Sequence, residues 1–250
     1  MTEQDIRKKV YEGYSLKDQT APPSLVTKFL VALFIPLSAY IIYEVFVFQE
    51  AIRVHWAILS IFLGWLFADF MSGLVHWFAD NYLSKATPLI GKGLILPFRH
   101  HHVEPMSIVC HNFFETNANS VVLAVVAGLI PASLWLAYFG CPVYFMIFWQ
   151  TVVSFVSITN QTHAWSHALS PPLIARILQK LRIIQPRERH ALHHRLPHNN
   201  NYCITSGAMN WPLEKIGFFP ALEKVIFYVT KVHPEHKRIS DQAHLAGINL

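Results

Sequence analysis

Five side chains able to do chemistry stand within twelve residues in RERHALHHRLPH, residues 187–198: Arg187, His190, His193, His194 and His198. On a helix, His190, His193 and His194 fall at i, i+3 and i+4, so three imidazoles leave one face of one turn. THAWSH repeats the i, i+4 pairing with His163 and His167, FRHHHVEP sets His101 beside His102, and VHWFAD puts His76 four residues before Asp80. Adjacent imidazoles repel when protonated and gain most when a shared cation holds them neutral, so these groups read as metal ligands. A tetrahedral zinc takes at most four protein ligands. Eight clustered histidines therefore predict two metal ions, and imidazole suits iron as well as zinc.

Other chemistries fit less well. A membrane zinc hydrolase built on His163, His167 and one of His190 to His194 would need a general-base Glu beside the first histidine, where Ala164 stands, so HExxH is absent. No GxSxG nucleophile turn occurs. Carboxylate-bridged di-iron bundles draw on ExxH pairs, which this chain lacks, so a two-iron centre here would be of the histidine-rich type. Two irons use the whole set and supply one-electron steps and oxygen activation that no side chain provides alone. A non-catalytic metal transporter would need polar groups through the full membrane thickness, and only Glu44 and Asp69 sit at depth. His55, His233, His236 and His244 are single residues in polar connections and read as ordinary packing or surface histidines. His100 neighbours a pair without being needed for one.

The elements that must position these groups are apolar. Of 250 residues, 53% are hydrophobic and 14% charged, against about 25% charged in a soluble domain. Long apolar runs cover Phe29 to Phe48, Trp56 to Trp77, Asn119 to Phe139 and Pro142 to Thr159, each close to the ~20 residues a helix needs to cross a bilayer. The last two are joined by the short Gly140-Cys141 link, which predicts an antiparallel pair. Leu173 to Ile184 and Ile216 to Val229 are weaker and interrupted by charge, as in helices lying at an interface. The expected fold is an all-α integral membrane protein of about four transmembrane helices with a cytosolic histidine-rich cap and interfacial helices. Its expected divisions are a polar tail over residues 1–28, a membrane domain over 29–230 and a C-terminal tail over 231–250.

Charge orients it. Four spans place five Lys and Arg of the N-terminal tail, three of the middle loop and eleven of the C-terminal region on one side, with only Arg53 opposite. That asymmetry makes the crowded side cytosolic, and every histidine group falls on it. The net charge of +5 is spread between apolar segments rather than gathered in a patch, which argues for membrane orientation and against nucleic acid. Cys110, Cys141 and Cys203 form no CxxC and are odd in number, so neither a disulfide framework nor a zinc ribbon is expected. No cleavable signal or transit peptide is expected in a start that carries Glu3, Asp5 and Glu12. Asp69, on one stripe with His76 and Asp80 but about 10 Å along the axis, reads either as an outer-shell or substrate-channel group or as a structural pair inside the bundle.

At this point a resemblance is carried by ADFMSGLVHWFAD, PFRHHHVEP, ETNAN, TNQTHAWSH, PRERHALHH, PHNNNYCITSG and NWPLEKIGF, in order from Ala68 to Phe218. They resemble the lipid desaturases of the plasmanylethanolamine desaturase (Kua) family. The resemblance implies that His76, His101, His102, His163, His167, His190, His193 and His194 are required for activity. Asp80 stands where many desaturases carry a second histidine, implying a carboxylate ligand or a group orienting His76. Phe98 leaves the second box incomplete, and His111 is the candidate to make up the shortfall. Asn117 and Asn160 are candidates for holding a metal-bound water, and His198 is a further outer candidate.

The implied reaction removes two hydrogens from adjacent carbons of a lipid alkyl chain, with O2 as co-substrate and two iron ions as cofactor. The form the resemblance favours is vinyl-ether formation in plasmanylethanolamine, with desaturation of phosphatidylglycerol acyl chains as the alternative, and a hydroxylase would use the same boxes. With no dinucleotide, haem or flavin segment in the chain, electrons are expected from an external donor, cytochrome b5 or a ferredoxin, docking on the cytosolic face. Arg99, Arg187, Arg189 and Arg195 are candidates for the lipid phosphate, or a solvated face toward anionic lipid. The expected membrane is the endoplasmic reticulum in a eukaryote or the inner membrane in a bacterium.

Overall fold

The computed structural model describes residues 24–47, 52–88 and 90–245. The polar tail expected at the N-terminus lies outside them up to residue 23. Every described element is helical and none is a strand. We number them α1 Leu25–Val47, α2 Val54–Tyr82, α3 Leu96–Val103, α4 Phe113–Phe139, α5 Val143–Ser157, α6 Thr159–His167, α7 Leu173–Lys180, α8 Arg187–His193, α9 Asn210–Lys215, α10 Phe218–Thr230 and α11 Glu235–Leu245.

Three helices, α1, α2 and α4, are long and apolar enough to cross a membrane, and α5 with α6 adds a fourth span if that pair, bent by 44°, is taken as one. The molecule is thus a multi-pass membrane protein. Helix α1 buries only Ser38 and Ile41 and leaves Phe29, Ile35 and Tyr43 outward, as a lipid-facing helix does. The core between α1, α4 and α5 is built from Ile41, Val125, Leu129, Met146 and Val153. Helices α2 and α5 meet closely because Gly64 has no side chain: a Cβ there would lie 2.6 Å from the Phe148 carbonyl oxygen.

Helix α4 begins on a capping box. Asn112 Oδ1 accepts from the Glu115 N–H at 3.0 Å, and the Asn112 N–H donates to Glu115 Oε2 at 3.1 Å. Its middle, Ala124–Leu129, widens to a π-helical turn just before Pro131. Proline lacks an N–H and crowds the preceding turn, so a wider turn is the local relief that keeps the span continuous. Helix α7 presents Leu173, Ile174 and Ile177 outward beside Arg176 and Lys180, a two-faced surface suited to a membrane interface. Within the segment after residue 230, Glu235–Leu245 forms α11, with Ile239 and Ala243 buried.

Candidate metal centre

Four helices deliver the clustered histidines to one place. Helix α2 brings His76 and Asp80, α3 brings His101 and His102, α6 brings His163 and His167, and α8 with its C-cap brings His190, His193 and His194. They divide into two donor groups: His101, His163, His167, His190 and His194 in one, and His76, Asp80, His102 and His193 in the other. Within each group one ligand atom per residue lies within 4.8 Å of all the others. The groups adjoin, with the His102 and His194 rings 5.2 Å apart and those of His76 and His163 6.0 Å apart. All nine side chains are buried.

The first group cannot be explained as a hydrogen-bond network. His190 Nε2 lies 2.8 Å from His163 Nε2 and 3.0 Å from His194 Nε2, and His163 Nε2 is also 3.3 Å from His167 Nε2. A neutral imidazole nitrogen offers one proton or one lone pair, so a chain of four such atoms cannot satisfy all three contacts. Neither nitrogen of His101 has a hydrogen-bond partner. Burial, and after it the neighbouring imidazoles, hold His101, His190 and His194 well below the usual histidine pKa, and so neutral. Neutral, converging lone pairs in a dry pocket are what a soft or borderline divalent cation needs.

The second group fits for a different reason. His76 Nδ1 donates to the Tyr202 carbonyl at 3.1 Å and His193 Nδ1 to the Asn200 carbonyl at 2.8 Å. Those bonds fix the tautomers and leave both Nε2 lone pairs inward. They face Asp80 Oδ2 at 3.3 and 3.5 Å, without hydrogen-bond geometry, while His102 Nε2 lies 3.1 Å from Asp80 Oδ1. Two lone pairs pointed at a buried carboxylate oxygen repel unless a cation lies among them. The residues present therefore fit two metal ions.

Other expected residues lie elsewhere. His198 packs outside the second group, its Nδ1 3.2 Å from His102 Nδ1 and donating to the His193 carbonyl at 3.0 Å. His111 does not complete a group. It is on the surface, 3.7 Å from Glu115, because Pro105–Cys110 carries the chain away from α3. Asn117 and Asn160 tie α4 to α6: Asn117 Nδ2 donates to Gln161 Oε1 at 3.0 Å and Asn160 Nδ2 to the Thr116 carbonyl at 3.0 Å, while Asn117 Oδ1 is buried without a hydrogen-bond partner. Arg99 is not available to a headgroup. It is buried, donates to the Leu83 carbonyl and pairs with Glu235 at 3.3 Å. Arg187, Arg189 and Arg195 remain exposed beside α8. Asp69 is spent on backbone. Its carboxylate accepts three backbone N–H bonds from residues 206–209. Sequence reasoning missed the Tyr202 and Asn200 carbonyls, which any residue type can supply; their only signal was the PHNNNYCITSG motif around them.

Residues 65–237 match the family model described as the lipid desaturase domain. The chain belongs to that family. It is 36% identical over 247 residues to a plasmanylethanolamine desaturase of Myxococcus xanthus, covering 97% of this chain and 87% of that one. It is 40% identical over 187 residues to plasmanylethanolamine desaturase 1 of Mus musculus, covering 71% and 67%. Against the chloroplastic fatty acid desaturase 4 of Arabidopsis thaliana it is 36% identical over 176 residues, covering 69% and 52%. No solved structure matches. The chain is a membrane lipid desaturase, an oxidoreductase, and the donor groups lie within its family domain.

Proposed function

We propose that this desaturase forms the vinyl-ether double bond of plasmanylethanolamine, using two iron ions and O2. The observation that carries the metal reading is the pair of adjoining donor groups, five histidines in one and three histidines with Asp80 in the other. The likeness to two plasmanylethanolamine desaturases, one over nearly the whole chain, carries the substrate. Iron bound there supplies oxygen activation and removal of two hydrogens from adjacent carbons.

The chain's own residues hold and shield. His101, His163, His167, His190 and His194 ligate one ion; His76, Asp80, His102 and His193 ligate the other. The Tyr202 and Asn200 carbonyls keep Nδ1 of His76 and His193 protonated, so that both rings present Nε2 inward. Burial of all nine side chains shields the donor groups from bulk water. The first two carbons of an ether-linked chain lie next to the headgroup, which suits donors at the ends of the spans rather than at mid-membrane. Exposed Arg187, Arg189 and Arg195 are placed to meet the lipid phosphate or an electron carrier. With the donor groups facing the cytosol, electrons arrive there from cytochrome b5 or a ferredoxin.

The test is lipid mass spectrometry of plasmalogen-deficient cells expressing the chain or its His193→Ala form, with iron measured on the purified protein. Vinyl-ether ethanolamine lipids and two iron equivalents, both present only with the intact chain, support the reading. An iron-loaded, inserted protein that makes none removes it. The likeness to the chloroplastic fatty acid desaturase then makes desaturated acyl chains the next product to inspect, beginning with those of phosphatidylglycerol, the other substrate that the sequence resemblance implies.

A further inference from the structure

Residues 202–206 form a strap that passes beneath the second donor group, every one of them nearly or wholly buried. Helix α2 grips it at several points. Asp69 Oδ1 accepts from the Ser206 and Gly207 N–H groups at 2.7 and 2.9 Å, and Oδ2 accepts from the Met209 N–H at 2.9 Å. Ser72 Oγ accepts from the Ile204 N–H at 3.1 Å while donating to the Asp69 carbonyl at 2.7 Å. Gly73 lets the strap lie against the helix, since a Cβ there would meet Cys203 Sγ at 2.4 Å. The Asn210 side chain closes the turn by bonding both the N–H and the carbonyl of Cys203. The strap is also tied to the other histidine-bearing elements, through Thr205 Oγ1 to Thr159 of α6 at 2.8 Å and the Thr205 carbonyl to the Gln185 N–H ahead of α8 at 3.0 Å.

We infer that Asp69 is a positioning residue for the second metal: it anchors the strap so that the Tyr202 carbonyl meets His76 Nδ1. The inference rests on the two-metal reading. Asp69 and His76 stand seven residues apart on α2, about 10 Å along its axis. The strap is thus fixed to α2 at Asp69, Ser72 and His76, and releasing the three bonds at Asp69 frees its far end to move the Tyr202 carbonyl. The Tyr202 ring adds a second constraint, lying 5.3 Å from the His193 ring. A buried carboxylate costs too much in an apolar segment to serve as filler, and here three backbone donors offset that cost. The first donor group meets the strap through the elements that carry it, by the Thr205 bonds to Thr159 and Gln185, so it depends on Asp69 less directly than His76 does.

The test uses full-length protein in detergent, stripped of metal and titrated with Co(II), whose visible bands report coordination. Peptide-resolved hydrogen exchange is run in parallel on Asp69→Ala, Asp69→Asn and Ser72→Ala. Wild type is expected to take two equivalents. Asp69→Ala is expected to keep one at wild-type affinity, to bind the other 10- to 100-fold more weakly, on the order seen for lost outer partners, and to exchange faster over 202–209 alone. Asp69→Asn should fall between, because one amide oxygen can still accept from Ser206 and Gly207. If Asp69→Ala does not fold, Ser72→Ala carries the test, with a smaller shift in the same direction. Wild-type affinity and bands in the variants overturn the inference. So does joint loss of both equivalents with fast exchange throughout α2 and α5, which marks a plain folding role. Fewer than two equivalents in wild type overturns the two-metal reading itself, and the inference with it.

Discussion

His101 and His102 are neighbours in the chain yet enter different donor groups: His101 stands among His163, His167, His190 and His194, while His102 Nε2 reaches Asp80 Oδ1 at 3.1 Å. Successive helical residues point about 100° apart, so α3 must lie between the two groups. His193 and His194 divide in the same way from the opposite side. Replacing His101 by Ala should therefore weaken one metal and replacing His102 the other, each lowering product on the order of 100-fold or more, since even outer partners cost 10- to 100-fold. Metal titration of the two variants checks this. Identical binding defects would contradict the division.

Gly73 tests the fit of the strap against α2. An alanine there would place its Cβ 2.4 Å from Cys203 Sγ and 3.1 Å from the Cys203 nitrogen. Overpacking of this kind costs about 1–3 kcal/mol, and Gly73→Ala should lower the thermal unfolding temperature accordingly. Combining it with Cys203→Ala should cost less than the sum of the single changes, because the sulfur contact is then gone while the backbone contact stays. Strict additivity in thermal unfolding would count against the contact.

Acid should destabilise the metal-free protein. Burial, followed by neighbouring imidazoles, depresses His101, His190 and His194 below the ordinary value of 6.5. Below that pH the unfolded chain binds protons that the folded chain refuses. Stability is then full above about pH 6.5 and falls as pH drops, by up to about 1.4 kcal/mol per group per pH unit. Unfolding temperatures of stripped protein from pH 8 to pH 5 measure it, and His190→Ala should flatten the slope. An equal slope in that variant would refute the assignment.

Arg99 should behave as a structural clasp, not a lipid ligand. Its guanidinium holds the Leu83 carbonyl and Glu235, so Arg99→Ala strands a half-buried carbonyl and loosens α3, costing about 1–3 kcal/mol. Arg99→Lys should recover little, since an ammonium cannot reproduce the fork. Arg187→Ala should leave unfolding unchanged and weaken the apparent affinity for lipid. Calorimetry and lipid titration separate the two.

Much of this was legible beforehand for physical reasons. Spans announce themselves by unbroken apolar length, and ligand sets by i, i+4 spacing, so α2, α4 and the donors of α6 and α8 could be read directly. The division into five and four could not, because it depends on how α3 and α8 sit between their neighbours. Nor could the task of Asp69, since its partners are backbone N–H groups 137 to 140 residues away that no side-chain type reveals. Arg99 was misread for a similar reason: a basic residue beside a histidine box looks available until Glu235, far along the chain, is found against it.

The Arg99–Glu235 pair also bears on the order in which the site is made. The donors occupy positions 76 to 194, but the strap beneath them comes at 202–206 and the partner of Arg99 only at 235. A ribosome makes every donor residue before the residues that lock them. A chain that ends between 194 and 201 would carry the full set of donors yet lack the strap that holds His76 Nδ1, and one that ends before 235 would lack the partner of Arg99.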